Sequence, residues 1–398
     1  MKFRLGINYW PITSAMYWWS RFDEDEFARD AARIRAAGFD SIRIFLLWDD
    51  FQPAPDRVST DNLCNLAKVA DVAAAEGLSL IVTFFTGHMS GANWLPPWAL
   101  ALTESPSASR FPIISEGRLV SAIPKNWYTD EAIMTAQAFL AREVAGRLSG
   151  HRAIWAWDLG NENSNCVIPP THACGLRWLE LMASEIKSVD PTHAITLGLH
   201  MEDLEEDRNL GPAEAAQVCD FLCMHGYPIY ADWANGPTDA GLLSFLGLMT
   251  RWLGKCDVLF EEFGAPTIDI QATNSASCFT LLHEYESANY IREAIIQLNR
   301  GGMLGAMLWC YGNYSSSLWS RAPLDHAPHE RYFGLWREDG VPKPAAKVVS
   351  EFSSLSIKEN GNLGWIDLEP NEFYRQPKEN LRRLYRKFNS LNESRVSS

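Results

Sequence analysis

Eight short apolar runs recur along this chain, and amphipathic helical stretches lie between most of them. The runs are Leu5–Tyr9, Ser41–Phe45, Leu78–Phe85, Ile154–Leu159, Ala194–Leu199, Phe221–His225, Val258–Phe263 and Gly305–Trp309. Helical spacing of apolar residues falls on Glu24–Ala37, Asp61–Glu76, Asp130–Leu148, His172–Ser188, Gly241–Leu253, Tyr285–Arg300 and Ala345–Leu355. This alternation predicts parallel strands with crossover helices, because no tight turn can join a parallel pair. Eight units favour a closed (β/α)8 TIM barrel, in the α/β class, over an open doubly wound sheet. An open dinucleotide-binding sheet would also need a Gly-x-Gly-x-x-Gly turn after its first strand, and none follows Leu5–Tyr9.

The barrel is expected over residues 1–357. Residues 358–398 read as a C-terminal extension packed on it, with Leu381, Leu384, Tyr385, Phe388 and Leu391 at helical spacing beside Arg382, Arg383, Arg386 and Lys387. That pattern fits a basic helix folded back on an acidic barrel, with a dimer contact as the alternative, so monomer and homodimer both stand. Two connections are long: Thr86–Thr129, with Trp94, Trp98 and Trp127, and Cys310–Lys343, with Trp319 and Trp336. Both leave the carboxyl ends of strands, where barrel sites are built, so they are expected to wall a substrate cleft. Sixteen tryptophans are many for 398 residues. Most belong in a core, while Trp94, Trp98, Trp127 and Trp319 are candidate platforms for the apolar faces of sugar rings.

A net charge of −14 argues against a nucleic-acid partner, which needs basic patches. No run approaches the ~18–20 apolar residues of a membrane span. The first residues run straight into a strand with no leader-like apolar segment, so a cytoplasmic location is expected, or secretion had a leader been removed. The eight cysteines (Cys64, Cys166, Cys174, Cys219, Cys223, Cys256, Cys278 and Cys310) show no zinc spacing, so no metal and no cofactor are implied. Cys166 and Cys174 share a loop and could pair under oxidising conditions.

Polar residues cluster at strand ends. Arg43 lies within the second run, where a buried guanidinium requires a carboxylate partner. His88 follows the third run, Asn161 and Glu162 end the fourth, His225 and Tyr227 end the sixth, Glu262 ends the seventh and Trp309 ends the eighth. Any one of these fits a structural role. Together they are hard to explain as packing.

This ordered set resembles glycoside hydrolase family 5, the cellulase-like family of the clan A barrels. The resemblance covers roughly residues 5–355 and includes the closing stretch Phe333–Ala345. It implies a retaining β-glycosidase with Glu162 as general acid/base and Glu262 as nucleophile, their carboxyls ~5–5.5 Å apart. Glu162 would hold a proton through a raised pKa, and Glu262 would stay ionised beside Arg43 and the Tyr227 hydroxyl. Asn161 would bind the sugar 2-hydroxyl and Trp309 would floor the site. Since strand side chains alternate, Glu261 is expected to face the helix layer or a loop partner.

The sugar is less constrained. An oligosaccharide substrate of β-mannosidase or β-mannanase type is the leading expectation, with a β-glucosidase or endoglucanase behind it. The acidic run His200–Asp207 offers acceptors for hydroxyls, though a solvated face explains it as well. A carbohydrate-binding barrel without catalysis is a remote alternative.

Overall fold

The computed structural model describes residues 1–103, 109–268, 281–358 and 361–396, and Cys278 lies outside these. The eight barrel strands are β1 (Arg4–Asn8), β2 (Ser41–Leu47), β3 (Ser79–Thr86), β4 (Ile154–Asn161), β5 (Ala194–His200), β6 (Leu222–His225), β7 (Val258–Phe263) and β8 (Gly305–Leu308). All pair in parallel with their sequence neighbours, and β1 meets β8 through Arg4 opposite Gly305 to close the ring. Burial on both faces explains the near-continuous apolar runs; every residue of β2 is buried.

The surrounding helices are α1 (Glu24–Ala36), α2 (Thr60–Ala75), α3 (Glu131–Arg147), α4 (His172–Val189), α5 (Ala240–Gly254), α6 (Glu284–Arg300) and α7 (Pro344–Ser350). Five of them begin at side-chain caps: Asp23, Ser59, Asp130, Thr171 and Asp239 each accept a hydrogen bond from a first-turn amide. Inside the barrel, Ile81, Ala156, Phe221, Cys223, Leu259 and Met307 form an apolar plug. The Arg4 guanidinium lies 4.4 Å from the Trp155 ring at the opposite end from the site. The plug makes the barrel a filled core, so ligands can enter only at the carboxyl ends of the strands.

Two strands break their alternation there. In β4, Asp158 and Asn161 pair with Thr196 and Gly198, three steps against two. In β7, Phe260 and Phe263 pair with Ala306 and Leu308, again three against two. Such bulges re-aim side chains. The second corrects the expectation for Glu261, which faces the barrel interior together with Glu262; both are buried.

The connection after β3 forms small sheets of its own, with Ala92–Trp94, Ile113–Ser115 and Arg118–Val120 among their strands. Its tryptophans are packed inward. Trp94 and Trp127 are buried, and Trp98 and Trp127 meet Trp48 edge-on. Trp319 lies under Arg331, whose guanidinium is 5.0 Å from the ring. Cys166 and Cys174 are both free thiols. Helix α8 (Pro377–Val396) buries Leu381, Leu384 and Tyr385 against the barrel, with Tyr385 4.9 Å from Phe245. Among the described residues no helix is long and apolar enough to cross a membrane.

Candidate active site

Arg43 stands at the centre of the upper barrel, fully buried. Its Nη2 donates to Asp158 Oδ2 at 2.7 Å and to Asn161 Oδ1 at 3.0 Å. Its Nη1 donates to Glu262 Oε1 at 2.5 Å, and its Nε lies 3.4 Å from Glu261 Oε1. Thr83 bridges Arg43 and Asp158 through its hydroxyl. The expected carboxylate partner is thus three carboxylates. A Cβ at Gly198 would stand 2.9 Å from Arg43 Nη2, so only glycine lets β5 pass the guanidinium.

Glu162 leaves the end of β4 with φ 51° and ψ 47°, a left-handed conformation that is uncommon and costly for any residue but glycine. Its amide donates to Gly198 O at 3.0 Å, which holds this turn in place. Its Oε1 lies 3.1 Å from His225 Nδ1, and its Oε2 accepts from Asn165 Nδ2 at 3.0 Å. His88 Nε2 is 4.0 Å from Oε2, and His88 Nδ1 is fixed by Asn93 at 2.8 Å. Opposite, Glu262 Oε2 accepts from the Tyr227 hydroxyl at 2.8 Å. An oxygen of Glu162, an oxygen of Glu262 and a His225 nitrogen all lie within 4.8 Å of one another. Asn161 is engaged on both sides, accepting from Arg43 and donating to the His88 carbonyl at 2.7 Å.

His225 is the hinge of the charge balance. Its Nε2 meets Glu261 Oε2 and its Nδ1 meets Glu162 Oε1, each at 3.1 Å. Burial pulls the imidazole down, but Glu262, Glu162 and Glu261 outweigh it and push it up to about 10. The mobile proton therefore rests on His225. Burial pushes the Glu162 carboxyl up, yet His200, His225 and His88 outweigh burial, and the net direction is down. Burial pushes Glu262 up, His225 and Arg43 pull it back, and Glu162 raises it again, for a net rise. With no sugar bound, these directions reverse the sequence expectation, because the imidazolium beside Glu162 was not foreseen.

The cavity above these groups measures about 360 Å³. His88, Asn161, Glu162, His225, Tyr227, Glu262 and Trp309 line it, while Arg43 lies just beneath. Trp94, Trp98, Trp127 and Trp319 do not; their rings serve loop packing and their indole N–H groups donate to backbone carbonyls instead. Sequence reasoning missed Asp158, whose signal was a lone acid inside an apolar run. It also missed Arg110, Asn165, Tyr230 and Glu330 on the cavity wall. The acidic run is no solvated face: Glu202 lines the cavity, held by Arg110 and Arg208, and buried Asp203 accepts from Ser164 and the His200 amide.

No protein-family model matches the sequence. Mannan endo-1,4-β-mannosidase A of Aspergillus aculeatus is 26% identical over 229 residues, 52% of this chain and 52% of that protein. The chain thus spans about half the length of the curated relatives it matches. Among solved structures, GH5_18 from Streptomyces cattleya, in complex with GlcNAc, superposes with a TM-score of 0.81 at 20% identity, covering 99% of this chain and 91% of that one. A variant of that protein was solved with Manβ1-4GlcNAc. An exo-β-1,4-mannosidase from Opitutaceae bacterium strain TAV5 is 25% identical, with a TM-score of 0.71 over 88% of this chain and 59% of that one. Closed barrel, strand-end residues and relatives agree, and the chain belongs to glycoside hydrolase family 5 in clan A.

Proposed function

We propose that this protein hydrolyses short β-linked, mannose-containing oligosaccharides with retention of anomeric configuration. The observation that carries the reading is the approach of Glu162 and Glu262 oxygens to within 4.8 Å. A water cannot be seated for direct attack between carboxyls this close. Inverting enzymes hold theirs ~6.5–9.5 Å apart, whereas retaining ones stand at ~5–5.5 Å. Glu262, held by Arg43 and Tyr227, attacks the anomeric carbon. Glu162 protonates the departing oxygen, taking its proton along the 3.1 Å hydrogen bond from His225. It then deprotonates the water that releases the sugar from Glu262.

Mannose-type substrates are favoured by likeness to the fungal mannanase and the bacterial exo-mannosidase. Short substrates are favoured by the cavity, whose roughly 360 Å³ lies at the small end of ligand sites. The test is hydrolysis of aryl β-mannoside, glucoside, galactoside and xyloside, and of β-1,4-linked manno- and gluco-oligosaccharides and Manβ1-4GlcNAc, by wild type and Glu262→Ala. Mannosides should be cleaved to the β-anomer first, and the substitution should abolish turnover. Cleavage of glucosides alone would move the reading to a glucan-type enzyme. Glu162, His225 and Glu262 also lie close enough to ligate a cation, so the assay is repeated after exhaustive chelation. Activity should survive, since the Arg43 and Tyr227 donors already occupy Glu262.

A further inference from the structure

The catalytic scheme leaves one carboxyl in the cavity without a task. Glu330 sits in the connection after β8, on the helical turn Pro328–Tyr332, and is 7% exposed. Its Oε2 accepts from Ser90 Oγ at 3.0 Å and its Oε1 from the Tyr230 hydroxyl at 3.3 Å. The side chain of Trp309, the candidate floor of the site, also hydrogen-bonds to it. Three separate connections thus converge on one acid at the edge of the cavity.

No arginine or lysine among the described residues forms an ion pair with Glu330. The one basic neighbour, His329 Nε2 at 3.5 Å, is pulled down to about 4 by burial and stays neutral. Burial pushes the Glu330 carboxyl up to about 7, against the pull of its hydrogen-bond donors and with a further rise from Glu262. Burying such a group without a cation is costly, and packing alone gives no reason for it. Costly polar groups that break a local rule are expected at functional sites. A carboxyl has about four acceptor positions, and Ser90, Tyr230 and Trp309 occupy three of them. One remains for the cavity.

We propose that Glu330 is a specificity-determining residue that hydrogen-bonds one ring hydroxyl of the sugar attacked by Glu262. This rests on the glycosidase reading for the identity of that sugar. The aryl glycoside best cleaved by wild type is compared with its 2-, 3-, 4- and 6-deoxy analogues, using wild type, Glu330→Ala and the nearly isosteric Glu330→Gln. Loss of a hydrogen bond to a carboxyl should lower kcat/KM for the parent sugar by roughly 10- to 100-fold. One deoxy analogue, lacking the recognised hydroxyl, should be nearly indifferent to the substitution. Equal losses for every analogue would make Glu330 structural, and no loss for any would remove it from recognition. Either result overturns the proposal while Glu262-dependent turnover keeps the glycosidase reading. Should wild type cleave nothing, the same sugars are titrated calorimetrically into wild type and both variants. A binding loss confined to sugars with one hydroxyl supports Glu330 without hydrolysis. Absence of binding overturns both.

Discussion

Arg43 faces Asp158, Glu261 and Glu262 at once, and Glu162 adds a fourth carboxyl within the same buried space. One guanidinium cannot balance four acids, and the shortfall explains why His225 holds a proton to about pH 10. Glu261 is therefore a positioning residue: it touches no substrate but fixes both the tautomer and the charge of His225 through Nε2. Glu261→Gln keeps an acceptor for that N–H and removes the anion. An opposite charge at this range typically moves a pKa by ~1–3 units, so losing it lowers the His225 value. The imidazolium that supplies Glu162 would then be lost at lower pH. The alkaline limb of the kcat/KM profile should move to lower pH by a unit or more, while the acid limb moves little. A uniform loss of rate with both limbs in place would show that Glu261 serves folding alone.

At the scale of elements, the strands were legible because burial on both faces leaves a run of apolar residues that needs no partner to be recognised. What alternation concealed was the pair of bulges in β4 and β7. A bulge adds one residue without changing composition, so Glu261 reads as outward-facing until the register is known. The loop tryptophans misled for a related reason: Trp94 and Trp127 look exposed in sequence, but their connection folds into sheets that bury them. The helix layer carries a similar hidden tie. Asp30 on α1 accepts from the hydroxyls of Tyr9, just beyond β1, at 3.0 Å and Tyr311, just beyond β8, at 2.6 Å. Burial pushes its carboxyl up to about 6, despite those hydrogen bonds. A folded value above the unfolded one of about 3.9 means that the native state binds the proton more tightly. That contribution is complete below the unfolded value and is lost as pH rises through about 6. Asp30→Asn cannot ionise and retains both an acceptor and a donor for the tyrosines. The wild-type advantage in Tm over this variant should shrink as pH rises through that window; a constant difference would remove Asp30 as its source.

For the molecule as a whole, helix α8 joins the barrel to the wall of its cavity. Tyr385 packs 5.2 Å from Trp233, and the Trp233 indole donates at 2.6 Å to Glu205, on the turn that carries cavity-lining Glu202. Two forces dock this helix. Its apolar stripe buries Leu381, Leu384 and Tyr385, and its basic residues meet acids, with Arg383 at 2.9 Å and Lys387 at 2.8 Å from Asp367. The magnitudes separate them. Removing a buried leucine side chain costs about 2–5 kcal/mol, whereas an exposed ion pair contributes about 0–1 kcal/mol. Arg383 and Asp367 are both more than 40% exposed, so solvent screens them. In urea denaturation, Leu384→Ala should therefore lower stability by at least 2 kcal/mol, and Arg383→Ala by less than about 1 kcal/mol. Added salt should weaken wild type toward Arg383→Ala and leave the effect of Leu384→Ala unchanged, because screening acts on the charges alone. The reverse order would mean that the basic face holds the helix and that the apolar stripe merely fills the space beneath it.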